Sequence, residues 1–124
     1  MNVYDPDKED VLAWINSKTS RWPASDWDYY VMNGKNDALV LQLANDQSCA
    51  EQNFFIHCLY YLVGEHLNSN RRNPAQRKRI EWLLERVDKR ANKDILHWKD
   101  RTQDILSGVA EFDPIEWLNY GILE

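Results

Sequence analysis

The chain predicts an all-α fold: a single compact domain of about six helices around one central apolar helix. Three observations carry this. Residues 54–63 are apolar on nearly every side of a helix, the mark of an element surrounded by others. Further on, Ile80, Leu84, Val87, Ala91, Ile95, Trp98, Thr102 and Ile105 keep an unbroken 3.6-residue period. Four glycines and four prolines are too few for the tight turns of a sandwich or barrel. At 124 residues the chain is one domain, 1–124, long enough to support a core without staples.

The first helix should begin at Asp5-Pro6, with Asp5 as cap and Pro6 at the first helical position. Asp7, Glu9 and Asp10 then sit at the positive end of its dipole. Val11, Trp14, Ile15 and Lys18 follow helical spacing, Leu12 widens the apolar stripe, and the helix should end near 17–20. Trp22-Pro23 marks a turn, because a residue before proline avoids the helical region. Residues 23–43 admit two readings. As two short helices, Trp27, Tyr30 and Val31 share a face, Asn33-Gly34 closes the first, and Asn36 or Asp37 caps the second. As an α+β alternative, 27–43 forms a small β-hairpin through Asn-Gly-Lys-Asn. Two strands alone are marginal, so the helices are preferred.

Ser48-Cys-Ala-Glu51 has the pattern of a capping box and should open the central helix, running to about Asn68. Residues 68–73 read as a loop, and Asn73-Pro74 starts the next helix. One helix over 74–107 would be roughly 50 Å long at about 1.5 Å per residue, too long for a domain roughly 30–35 Å across. A break is therefore expected at Ala91-Asn92-Lys93, with Asn92 capping the second piece and Gly108 closing it. Asp113-Pro114 starts a last short helix carrying Ile115, Trp117, Leu118 and Tyr120, closed by Gly121.

Charge is unevenly laid out. Residues 1–70 carry ten acids and four bases, 71–101 eleven bases and five acids, and 102–124 five acids and no base. The net charge of −5 disfavours nucleic acid and anionic membrane and permits a basic protein partner. Arg71, Arg72, Arg77, Lys78 and Arg79 form a basic cluster, but acids interleave at pairing distance, as in Arg77 with Glu81 and Glu85 with Lys89. A solvated, self-paired face is the reading favoured there. Cys49 and Cys58 match no zinc spacing and read as free, buried thiols in a reducing cytoplasm. The N-terminus lacks the features of a signal peptide, and the run 54–63 is too short to span a bilayer.

Chemistry is sparse. Gly-rich phosphate loops, HExxH and GxSxG are absent, and no metal or cofactor is expected. His57 lies inside the apolar helix and reads as a core histidine bonded to a neighbour. His66 and His97 read as surface or partly buried. His57, Tyr61 and Glu65 stand one turn apart, a line that can relay protons but that helices produce often by chance. Asp7/Asp10 and Asp26/Asp28 read as solvated carboxylate pairs. The segment Asp26, Trp27, Asp28, Tyr29 and Tyr30 combines stiff aromatic contact area with carboxylates that would steer a basic partner, and it is the candidate partner-binding site. The competing reading turns Trp27 and Tyr30 to the core and the two Asp to water.

A small, acidic, helical chain with Tyr-Tyr beside carboxylates resembles bacterial immunity proteins, which bind and neutralise a cognate toxin, often a basic nuclease. In the colicin-nuclease immunity family an adjacent Tyr-Tyr pair with nearby acids forms the contact hot spot. Here Tyr29 and Tyr30 match it, with Asp26 and Asp28. The likeness covers residues 26–30 and gross character. This chain is longer than that family, and its pair is followed by Val31 where the family has a proline. In kind it is closer to the contact-dependent or polymorphic-toxin immunity class. The resemblance implies a cytoplasmic, non-catalytic inhibitor of a toxin domain. The alternative is an adaptor or regulatory subunit, oligomeric, acting through the basic helix face. The second pair, Tyr60-Tyr61, reads as core.

If the sequence reading is right, far-ultraviolet dichroism should be helix-dominated and unchanged by chelator or reductant. Loss of the signal with either reagent would mean a metal or a disulfide holds the fold.

Overall fold

The computed structural model of the chain describes residues 1–68 and 74–118. Its helices are α1 (Lys8–Asn16), α2 (Trp27–Val31), α3 (Asp37–Ala44), α4 (Gln52–Asn68), α5 (Pro74–Arg86), α6 (Lys93–Leu106) and α7 (Pro114–Leu118). Among the described residues there is no strand, so 27–43 is two helices and not a hairpin.

α4 is the centre. Every residue from Phe54 to Tyr60 is buried, as are Leu62 and Val63. Helices α2, α3, α5, α6 and α7 all pack against it. α1 reaches it through Trp14, whose ring meets Phe54 at 4.9 Å, Phe55 at 6.3 Å and Trp27 at 5.7 Å. At the far side Trp117 of α7 packs edge-on against Tyr60 at 4.8 Å. Aromatic pairs in this geometry contribute about 0.5–1.5 kcal/mol beyond the area they bury.

α1 starts later than Asp5-Pro6. Its cap is Asp7, whose carboxylate accepts from the Asp10 amide at 2.9 Å while Asp10 accepts from the Asp7 amide at 3.1 Å. That reciprocal box satisfies two otherwise orphaned donors. The Asp7 N–H also holds the Asp10 carboxyl below its ordinary range. Asp5 and Pro6 are occupied elsewhere. Asp5 binds Asn33 and Lys35, and the Pro6 carbonyl accepts from Asn33 and Asn36, each at 3.0 Å. The helix ends at Asn16, so Lys18 falls outside it, at φ 56° and exposed. With Ser20 at φ 55°, the chain turns back so that the Trp14 indole donates to the Arg21 carbonyl at 3.0 Å.

The expected box at Ser48–Glu51 does not form. The Ser48 amide and hydroxyl both donate to Asp46 Oδ1, at 2.9 and 2.6 Å, making a local turn. Serine next to a carboxylate two residues back has this alternative within reach. The Ser48 hydroxyl holds the Asp46 carboxyl below its ordinary range. Glu51 instead accepts from the Ser20 hydroxyl, and α4 opens at Gln52. Its far end falls at Asn68, as expected.

The break in the long periodic segment is present. α5 stops at Arg86, and α6 starts at Lys93 with the Asn92 side chain accepting from the Ile95 amide at 2.9 Å. Asn92 also donates to the Ala44 carbonyl at 3.0 Å, tying the break to the end of α3. With α5 ended, Lys89 is no longer one helical turn from Glu85, and that expected pair is replaced by Glu85 beside Arg86 at 3.9 Å. Gly108 follows α6 at φ +83°, the left-handed region that closes helices. Pro114 opens α7 as expected, whereas Asn73, Arg71, Arg72, Tyr120 and Gly121 lie outside the described residues.

Leu59 is fully buried on the central helix. Leu59→Ala should destabilise by about 2–5 kcal/mol in denaturant melts. A change of only a few tenths, typical of surface sites, would move α4 out of the core.

Candidate functional site

α2 has five residues, too few to hold a helix by itself. Tertiary contacts fix it. Trp27 and Val31 are fully buried. Asp28 lies beside α4, its Oδ2 2.9 Å from His57 Nε2, and its Oδ1 accepts from the Tyr29 amide at 2.8 Å. His57 is 1% exposed, the core histidine the sequence suggested, and its ring also packs against Trp22 at 6.2 Å. Downstream, the Asn36 side chain donates to the carbonyls of Pro6 and Val31, at 3.0 and 3.1 Å.

The five residues read as one binding segment therefore separate. Trp27 is core and has no surface to offer a partner, because the α2 stripe that meets α4 runs through positions 27 and 31. Asp28 is not a solvated carboxylate, since its side chain is only 13% exposed and faces His57. Asp26 is exposed, Tyr29 is 51% exposed and Tyr30 is half-buried.

Tyr29 and Tyr30 do not stand alone. They line a cleft of about 370 Å³ with Tyr4, Tyr61, Glu65 and Arg79. Tyr30 packs edge-on against Tyr4 at 5.3 Å and against Tyr29 at 5.5 Å. Tyr61 comes from the pair expected in the core. Tyr60 is indeed buried, but Tyr61 is half-buried and turned to the cleft. Glu65, one turn on, lies close enough to act on the Tyr61 hydroxyl. Sequence reasoning missed Tyr4, Tyr61 and Glu65 as partners of Tyr29-Tyr30. The spacing of Tyr61 and Glu65 was visible, but not which face α2 would cover.

Of the basic cluster, Arg77 and Arg79 are paired, and Arg71 and Arg72 lie outside the described residues. Arg79 makes a two-pronged pair with Asp37, at 2.9 and 2.8 Å, and donates to the Met32 carbonyl at 2.9 Å, so it is a structural clamp between α5 and α3. Arg77 pairs with Glu81 at 2.8 Å as the spacing suggested. Arg86 lies 3.7 Å above the Trp82 ring, and Lys78 is exposed.

His57, Tyr61 and Glu65 do form a line, with ring centres of the first two 6.1 Å apart. The burial of His57 keeps a substrate atom from reaching its ring. His66, expected at or near the surface, is buried at 4% exposure, while His97 is exposed. Both cysteines are free, but only Cys58 is buried as expected; Cys49 lies before α4 and is half-buried, and burial pushes both thiols up, which leaves them poor nucleophiles. Among the described residues no group of His, Cys, Asp and Glu is placed to hold a metal, and no helix is long and apolar enough to cross a membrane. No family model matches this chain, and no curated protein or solved structure is significantly similar to it.

Burial, with the Glu65 and Asp28 carboxylates nearby, pushes the Tyr61 hydroxyl well above its ordinary value of 10.0. The folded state thus holds this proton more tightly than the unfolded chain does. The resulting stabilisation is complete below about pH 10 and is lost as pH rises toward the raised value. Tyr61→Phe removes the ionisable group. Its melting temperature should fall less steeply than the parent's between about pH 9 and 11. Parallel curves would show that Tyr61 ionises as readily folded as unfolded.

Proposed function

We propose that the protein is a non-catalytic binding protein, an immunity-type inhibitor that neutralises a cognate, basic toxin domain by covering it. The observation that carries this reading is the tyrosine cleft, lined by Tyr4, Tyr29, Tyr30, Tyr61 and Glu65, with the exposed Asp26 one residue before α2. Rigid aromatic side chains supply contact area at little entropic cost, and the surrounding acids steer a basic partner. The ten acids against four bases in residues 1–70 extend that attraction beyond the cleft. The adaptor reading has less support, because Arg77 and Arg79 of the basic segment are already paired.

The test is neutralisation. The protein should co-purify from its host with one basic partner at near stoichiometry, and co-expression should restore growth to cells producing that partner. Recovery of only itself, or a captured partner whose toxicity is unaffected, would remove the inhibitor reading.

Binding kinetics then separate the roles of Asp26 and Tyr29. Asp26→Lys should slow association and weaken its salt dependence, because an exposed charge acts on encounter. Tyr29→Ala should speed dissociation, with a loss of about 2 kcal/mol or more, while thermal stability stays within about 0.5 kcal/mol. Asp28 is unsuited to this test, since its replacement removes a contact that holds α2 to His57 of α4. Unchanged rate constants in both variants would take α2 out of the interface.

A further inference from the structure

We propose that the tyrosine cleft receives an arginine side chain of the partner, its guanidinium held among Tyr29, Tyr30 and Tyr61 with Glu65 as counter-ion. This rests on the reading of the cleft as a protein-binding site and names the chemistry it recognises.

Charge in the cleft decides the sign of the guest. Two ionic side chains line it, Glu65 and Arg79. The Arg79 guanidinium already donates to both Asp37 oxygens and to the Met32 carbonyl, so its charge is matched outside the cleft. Glu65 has the Tyr61 hydroxyl as its neighbour and no cation paired with it among the ion pairs of the described residues. Asp28 and Asp26 as well as Glu65 lie near enough to act on that hydroxyl with the same sign, so the Tyr61 side of the cleft, where Glu65 lines it, favours a cation. An anionic guest is repelled there. An apolar guest would leave the carboxylate desolvated without a partner.

The tyrosines decide which cation. Aromatic rings attract a cation through their negative faces, and more strongly where water is displaced. Four tyrosines line a space of about 370 Å³, much larger than a bare ion needs and suited to a side chain with a stem. Guanidinium is flat, weakly hydrated, stacks on rings and matches a carboxylate with two parallel donors. An ammonium is a strongly hydrated point charge that gives up more on entering such a site. The exposure of Tyr29 at the edge leaves the cleft open to a side chain projecting from another protein surface.

The probe is N-acetyl-arginine amide, titrated into the full chain at fixed ionic strength and followed by NMR of labelled tyrosine rings. N-acetyl-citrulline amide, nearly the same shape without the charge, is the control. N-acetyl-lysine amide is the second cation. The arginine probe should give saturable shifts at Tyr29, Tyr30 and Tyr61, with binding at least about fivefold tighter than citrulline and tighter than lysine. Glu65→Gln should weaken arginine binding about fivefold and leave citrulline unaffected. No saturable shift with arginine, or equal binding of citrulline in the parent protein, overturns the proposal whether or not the variant folds. Arginine binding unaltered in a folded Glu65→Gln protein does so as well. Because the probe needs no toxin, the two readings fail separately. A failed titration leaves neutralisation to be judged by growth, and a successful one without growth protection keeps the cation site and removes the inhibitor.

Discussion

Residues 54–63 turn only the half-buried Tyr61 toward water, and the rest of the molecule is arranged around that constraint. A helix apolar on nearly every side must be covered on nearly every side. Five of the other six helices pack on α4, and α1 closes the remaining side with Trp14. The cover consists of short amphipathic pieces because no single helix can curve around a cylinder. The break between α5 and α6 serves the same end: after Arg86 the chain changes direction and applies a second apolar stripe, Ile95 and Trp98, to the same core.

Short covering helices have little stability of their own, so polar contacts at their ends hold them in place. Asn36 ties the end of α2 to Pro6, Asn92 ties α6 to the end of α3, and Arg79 clamps α3 to α5. The Arg79–Asp37 pair is largely sheltered, with three charge-assisted or carbonyl hydrogen bonds on one guanidinium. Such bonds are worth about 1.5–3 kcal/mol where a charge is involved, more than an exposed pair such as Arg77–Glu81 contributes. Arg79 of the basic segment thus serves architecture, joining α5 to α3.

The candidate site inherits its geometry from these restraints. Asp28 bound to His57 fixes the start of α2, and the burial of Trp27 and Val31 fixes its rotation. With both set, Tyr29 and Tyr30 have nowhere to go but the side of the helix facing Tyr4 and Tyr61.

The sequence by itself determined the class of fold, the central helix, the break at Asn92 and the starts at Pro74 and Pro114. Each follows from hydrophobic period or from a local residue preference that needs no distant partner. It also placed His57 in the core, since a lone histidine in an apolar helix must find a bond there. What it could not decide were choices between equally good local options. Asp5 and Asp7 both suit a helix cap, and the loop at 33–36 claimed the first. Ser48 suits both a capping box and an Asp46 turn, and the packing of Glu51 near Ser20 favoured the second. The site shows the same division. Aromatic and acidic character at 26–30 is legible in the residues, but which of the five reach water is not. Only the docking of α2 on α4 sent Trp27 inward, tied Asp28 to His57 and gathered Tyr4, Tyr61 and Glu65 around Tyr29 and Tyr30, because those contacts join residues about thirty positions apart that no local rule connects.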